Sequence, residues 1–88
     1  MFGLSEEKIA KWGEKGKSEK LIKAAGDKNP TIRLAAIKAM SQVKDEVIYN
    51  TLITCLRDRN PELRMAAMDS LATLGSKNAL EHVRSLLH

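Results

Sequence analysis

Ten residues, DKNPTIRLAA from Asp27, return 31 positions later as DRNPELRMAA from Asp58. No other feature of this 88-residue chain restricts its fold so severely. The shift of 31 lays Asp27 on Asp58, Asn29 on Asn60, Pro30 on Pro61, Arg33 on Arg64, and Ala35 and Ala36 on Ala66 and Ala67. Beyond that window, character persists where identity fades: Met40 meets Leu71, Val43 meets Leu74, Leu52 meets Val83 and Leu56 meets Leu87. Self-similarity at a period of about 20–50 residues is the signature of stacked supersecondary units, each covering the apolar face that its neighbour leaves open.

The repeated letters specify helices. Proline has no N–H and a φ preset for a first helical turn, which places Pro30 and Pro61 at helix starts. It also holds the residue before it extended, so Asn29 and Asn60 are positioned to cap, worth about 1 kcal/mol each. After the cap, Ile32, Ala35, Ala36, Ala39, Met40 and Val43 follow the i, i+3, i+4, i+7 rhythm, and Leu63, Ala66, Ala67, Leu71 and Leu74 repeat it. The stretches between are also amphipathic, with Ile48, Leu52, Cys55 and Leu56 matched by Ala79, Val83, Leu86 and Leu87. Short links contain Gly13, Gly16, Gly26 and Gly75. The pattern predicts an all-α chain of about six short antiparallel helices, over residues 5–13, 18–25, 30–43, 46–57, 61–74 and 77–87. No β-alternation competes.

A helix ending in Asp, then N-P-x-x-R-x-A-A and a second amphipathic helix, resembles the HEAT repeat in its short bacterial, phycobilisome-lyase-type form. The likeness spans about residues 18–87 and is looser over the first helix. It implies a right-handed α-α superhelix, a solenoid whose second helices line a concave surface. It also implies a polar ladder between layers, built here from Asp27, Asp58, Arg33 and Arg64. On a helical wheel Arg33 falls between Met40 and Ile37, inside the apolar arc, where a charge needs a partner. The aspartate at the preceding helix end, Asp27, is the nearest in sequence.

The expected organisation is a single domain over 1–88, with a capping helix at 1–16, repeats at 17–44 and 45–75, and a C-terminal half-repeat at 76–88. The ends read as finished: Glu6 and Lys8 fall where Ile37 and Ala39 sit one layer on, and Arg84 replaces Ile53. Polar residues at positions that would face a missing neighbour mark capping repeats and predict a monomer.

Composition narrows the function classes. The net charge is +4, and the excess lies in the first two thirds, where seven Lys face five acids in 1–28 and five bases face three acids in 29–59. Cys55 is the only cysteine, so no intrachain disulfide forms. No apolar run approaches the ~20 residues of a membrane span, and the opening MFGLSEEKI lacks the basic and apolar regions of a signal peptide. The expected setting is the cytoplasm.

Motifs for chemistry do not assemble. Gly16-Lys17-Ser18 has the tail of a phosphate loop, but the glycine required five positions earlier is Lys11, and no buried strand precedes it. Cys55 lies on an apolar helix face with Leu52 and Leu56, as inert core cysteines do. His82 and His88 are six apart, off the i, i+4 spacing of a helical metal pair. Trp12 aligns with Val43 and reads as core. No catalytic residue, metal site or cofactor is expected, and the chain is read as a non-enzyme.

Surface remains. The outward strip of helix 30–43 carries Thr31, Leu34, Lys38, Ser41 and Gln42, and that of helix 61–74 carries Glu62, Met65, Asp69, Ala72 and Thr73. Leu34 and Met65 either lean into the core between layers or form a small apolar anchor with a polar rim. The expected function is therefore protein–protein interaction or scaffolding, through Thr31, Leu34, Lys38, Glu62, Met65 and Asp69, with an unspecified protein partner. The alternative is binding of nucleic acid or another polyanion through Lys8, Lys11 and Lys15, which share one helical face. Glu6, Glu7, Glu14 and Glu19 are interleaved there, and with Trp12 assigned to the core, no arginine or aromatic residue is expected to accompany these lysines.

Overall fold

The computed structural model describes residues 5–87, with side chains from 5 to 75. Five α-helices follow one another: α1 (Glu6–Glu14), α2 (Ser18–Ala25), α3 (Pro30–Ala39), α4 (Glu46–Cys55) and α5 (Pro61–Leu87), with a 3₁₀ turn at Met40–Gln42 closing α3. There is no strand among the described residues.

Local chemistry sets the boundaries. Ser5 caps α1 by accepting from the Lys8 N–H at 3.2 Å. Gly16, at φ 67°, ends it: the Gly16 N–H donates to the Gly13 carbonyl and the Lys17 N–H to that of Trp12. That double closure needs a left-handed residue, which glycine adopts without a Cβ penalty. The remnant of a phosphate loop is thus a helix terminator. Asn29 and Asn60 cap as the proline rule requires, accepting from the Thr31 and Glu62 N–H groups, each at 2.9 Å. Asp27 and Asp58 tie the turns before them, accepting from the Asn29 and Asn60 N–H groups at 2.9 and 2.8 Å. Asp45 caps α4 through the Val47 N–H at 3.0 Å.

One core runs through every layer. Ile9 from α1, Leu21 from α2, Ile37 from α3, Ile48 and Leu52 from α4, and Leu63 and Leu74 from α5 are fully buried, together with Met40. Each such side chain contributes roughly 1.5–3 kcal/mol of burial. Alanines at 24, 36, 39 and 67 fill the crossings and let the helix axes approach. At its C-terminal end α1 crosses α3 so closely that Gly13 lies against the Ala39 carbonyl, a packing role rather than a linking one.

Three polar clamps join successive layers. The Ser18 hydroxyl donates to Asp45 at 2.7 Å, the buried Ser70 hydroxyl donates to the Ile37 carbonyl at 2.8 Å, and Arg33 pairs with Asp58 at 3.5 Å. The last of these differs from the wheel expectation, which named Asp27. Asp27 is held by its own turn, whereas Asp58 arrives from the following layer, as the ladder implied by the family resemblance requires. Arg64 instead donates to the Asp58 and Arg59 carbonyls at 2.9 and 3.3 Å.

The helix count differs from the expected six. Helices over 61–74 and 77–87 were anticipated, and α5 runs as one helix through both. No proline interrupts it, and a single Gly75 costs only about 1 kcal/mol in a helix interior. The matched set Ala79, Val83, Leu86 and Leu87, the capping Arg84, and both His82 and His88 lie outside the described side chains. At the other end Glu6 and Lys8 are exposed where Ile37 and Ala39 are buried, in keeping with a polar first layer.

Candidate interaction surface

Because α2 with α3 and α4 with α5 form helical pairs, α1, α3 and α5 line up on one side, α3 packing against both neighbours. Their outward positions form a strip with a shallow relief. A depression of about 240 Å³ between α3 and α5 is lined by Leu34, Lys38, Glu62, Met65, Ala66 and Asp69. Five of the six residues read from the sequence as a binding strip therefore meet around one hollow. The sixth, Thr31, is exposed on the first turn of α3 and does not line it.

The two apolar anchors sit differently. Leu34 is half-buried and packed against the core, while Met65 stands 65% exposed. Leu34 also lines a second hollow, toward α1, with Glu6, Ala10, Ala35, Lys38, Ala39 and Gln42. A third hollow, toward the C-terminal half of α5, joins Lys38 with Ser41, Ala66, Asp69, Ser70 and Thr73. Lys38 is common to all three and is the hub of the strip.

The charge of the strip opposes that of the chain. Glu6, Glu62 and Asp69 stand against Lys38 alone, a formal −2 on a protein of net +4. Sequence reasoning placed Glu6 in the N-terminal cap and missed its place on this strip. The available signal was that α1 occupies the position of a second helix of a pair, so that its outward face must continue the α3 face.

The lysine face has a different character from the one expected. Lys8, Lys11 and Lys15 are exposed. Trp12, expected in the core, is only half-buried, packed against the core. The Lys8 and Lys20 ammonium groups stand 5.9 and 5.6 Å from its ring centroid. An aromatic side chain does accompany the lysines, and the Lys8–Trp12 spacing of four on one helix was the clue. The ring, Lys20, Lys23, Ala24 and Asp27 line a further hollow.

No group of three or more His, Cys, Asp or Glu side chains converges among the described residues. Cys55 is half-buried; burial first, and the Asp58 charge second, push its thiol pKa up, so it is held as the unreactive thiol. The Asp45 carboxyl is lowered by the Ser18 hydroxyl and then by the Val47 N–H, both spent on joining layers and capping α4. No helix of the described residues is long and apolar enough to cross a membrane.

A family model described as HEAT repeats matches residues 18–88. No curated protein and no solved structure matches the chain.

Proposed function

Starting from a chain that belongs to the HEAT repeat family, we propose that it is a non-enzymatic interaction module that binds a protein partner on the α1–α3–α5 strip. HEAT repeats generally mediate protein–protein contacts. The observation that carries the reading for this chain is the hollow around Leu34 and Met65, with its acidic rim. Stacked helices present these side chains with little ordering cost on binding. Met65 is an adaptable, unbranched anchor that fills an irregular partner surface. The rim charges select a partner segment that is basic with an apolar anchor of its own. In this reading Thr31 is a peripheral contact, and the protein acts in the cytoplasm as a monomer.

The test places a photo-crosslinking residue at position 65, identifies the captured protein, and measures its affinity in purified form. Met65→Asp should weaken binding by ten-fold or more, as loss of a central anchor does. Lys38→Glu should tighten it, by removing the one cation among the described residues of the strip. A captured partner that binds Met65→Asp as tightly as the wild type would sink the assignment.

A second reading is favoured by the Trp12 ring between Lys8 and Lys20, a stacking group within a cationic patch. It assigns a nucleic acid or other polyanion to Lys8, Lys11 and Lys15. Binding of a labelled oligonucleotide should then fall by orders of magnitude between about 50 and 200 mM salt and vanish in the triple Lys→Glu variant. A flat salt response would dispose of it.

A further inference from the structure

Lys20, Lys23 and Ala24, at i, i+3 and i+4, share one face of α2, and Asp27 follows at its C-terminal end. With Trp12 of α1 they enclose a hollow of about 330 Å³. Its floor is the indole and the methyl of the buried Ala24. Lys20 and Lys23 are exposed at its edge, and neither pairs with a carboxylate among the described residues. Asp27 spends one carboxylate oxygen, Oδ1, on the Asn29 N–H, and no described donor takes the other.

In the next layer the matching place is filled. The 31-residue shift carries Ala24 to Cys55 and Asp27 to Asp58, and there Arg33 reaches in from α3 to pair with Asp58 at 3.5 Å. The Cys55 thiol lies within reach of both charges. One period before Arg33 the sequence has Phe2, which brings no cation. Asp27 is thus a repeat aspartate without a repeat arginine. The wall has changed with it: Trp12, Lys20 and Lys23 stand where the next layer has Val43, Thr51 and Thr54. An indole and two cations enter at the layer where the arginine is missing.

We propose that this hollow binds a nucleotide, its base stacked on the Trp12 indole, its phosphate between Lys20 and Lys23, and a ribose hydroxyl or base amino group donating to Asp27. The three chemistries select the class together. A planar base can replace the Lys20 ammonium, which stands 5.6 Å from the ring centroid, and the freed ammonium turns to the phosphate. With Lys8, three cations face one carboxylate, which rejects a partner's arginine and favours an anion. A bare anion gains nothing from the indole and is repelled by Asp27. An apolar floor with a few converging polar groups is the usual build of a small-ligand site. This goes beyond the polyanion reading, because Lys11 and Lys15 do not line the hollow and a base is required.

Trp12 is the only tryptophan of the chain, so its fluorescence reports on the hollow directly. Adenosine monophosphate is titrated into the full chain, with ribose phosphate and inorganic phosphate as ligands that lack a base. Saturable quenching by the nucleotide is expected, at least ten-fold tighter than any response to the other two. No saturation by ~10 mM nucleotide, or equal binding of ribose phosphate, overturns the proposal. Asp27→Asn separates the site from simple charge attraction. Asparagine keeps an oxygen for the Asn29 N–H but removes a negative charge, so attraction alone would tighten binding. Loss of the second acceptor should instead weaken it by about five-fold, and a tighter variant overturns the proposal. Lys11→Gln with Lys15→Gln should leave the mononucleotide response unchanged even where it abolishes polyanion binding, so the two readings fail separately. Loss of the mononucleotide response in that variant would refute the hollow. A single-stranded oligoadenylate identifies the source. Ten-fold tighter binding than the mononucleotide places the unit in a strand, equal binding makes it a free nucleotide, and both support the site. Binding of the oligonucleotide without the mononucleotide overturns it.

Discussion

Gly13→Ala is the substitution in which helix propensity and packing disagree most sharply. Gly13 lies inside α1, where alanine is favoured over glycine by about 1 kcal/mol. A Cβ there would stand 2.8 Å from the Ala39 carbonyl oxygen, 3.1 Å from the Ala39 Cβ and 3.0 Å from the Gln42 Nε2. The Gln42 side chain can swing aside at small cost. The Ala39 carbonyl belongs to the backbone where α3 passes into its 3₁₀ turn, and it cannot. Relief must come from α1 lifting off α3, which opens the packing of Ile9, a fully buried residue on the same helix. Overpacking of this kind costs about 1–3 kcal/mol. After the propensity gain is subtracted, a net loss of about 1 kcal/mol is expected. For a domain of this size that is roughly 4–8 °C in Tm. Thermal unfolding followed by circular dichroism at 222 nm measures it. A Gly13→Ala variant as stable as the wild type, or more so, would refute the argument and show that α1 rides loosely on α3.

Ser70→Ala removes the buried hydroxyl that reaches across to the Ile37 carbonyl, and should cost about 1 kcal/mol in urea unfolding. Asp58→Ala loses both the Arg33 pair and the acceptor for the Asn60 N–H, so it should cost about 1–2 kcal/mol; Asp27→Ala, with no interlayer pair, should cost less. The lowered Asp45 pKa means that its contribution is present above the ordinary carboxylate range and is lost as pH falls through the lowered value. Asp45→Asn should therefore shrink the fall in Tm below about pH 4, where the unfolded carboxylate protonates, relative to the wild type.

The fold was largely readable because its determinants are local and repeated. Asn-Pro caps, the Asp turns and the apolar rhythm act within a few residues of where they are written, and a second copy of each checks the first. The partner of Arg33 was less accessible. Its wheel position showed that it needed a carboxylate, but Asp58 reaches it only through the stacking of two layers, which helix periodicity does not encode. Gly13 was misread for a related reason. Glycine near a helix end resembles a linker until the crossing helix is present. That the outward residues of α3 and α5 share one hollow was legible, because the repeat supplied the register; that Glu6 adjoins them from α1, a helix outside the repeated motif, was not. Trp12 was taken for core because the alignment carried over the burial of Val43, whereas the ring at the equivalent place on α1 is half-buried and shared with Lys8 and Lys20.

The three interlayer clamps have a consequence for motion. Ser18 with Asp45, Ile37 with Ser70, and Arg33 with Asp58 all fasten the α2/α3 layer to the layer after it, while α1 covers that same layer from the other side. Opening free energy should consequently grade along the molecule rather than divide it into folded and unfolded halves. Amide protons of Ala36, Ile37 and Met40 would be the last to exchange with deuterium, and those of the outer helices would go first. The strip proposed to bind a partner crosses that gradient, with Leu34 and Lys38 on the slowest layer and Met65 on a faster one. One side of the site is a fixed anvil, and the other can adjust to what is pressed against it.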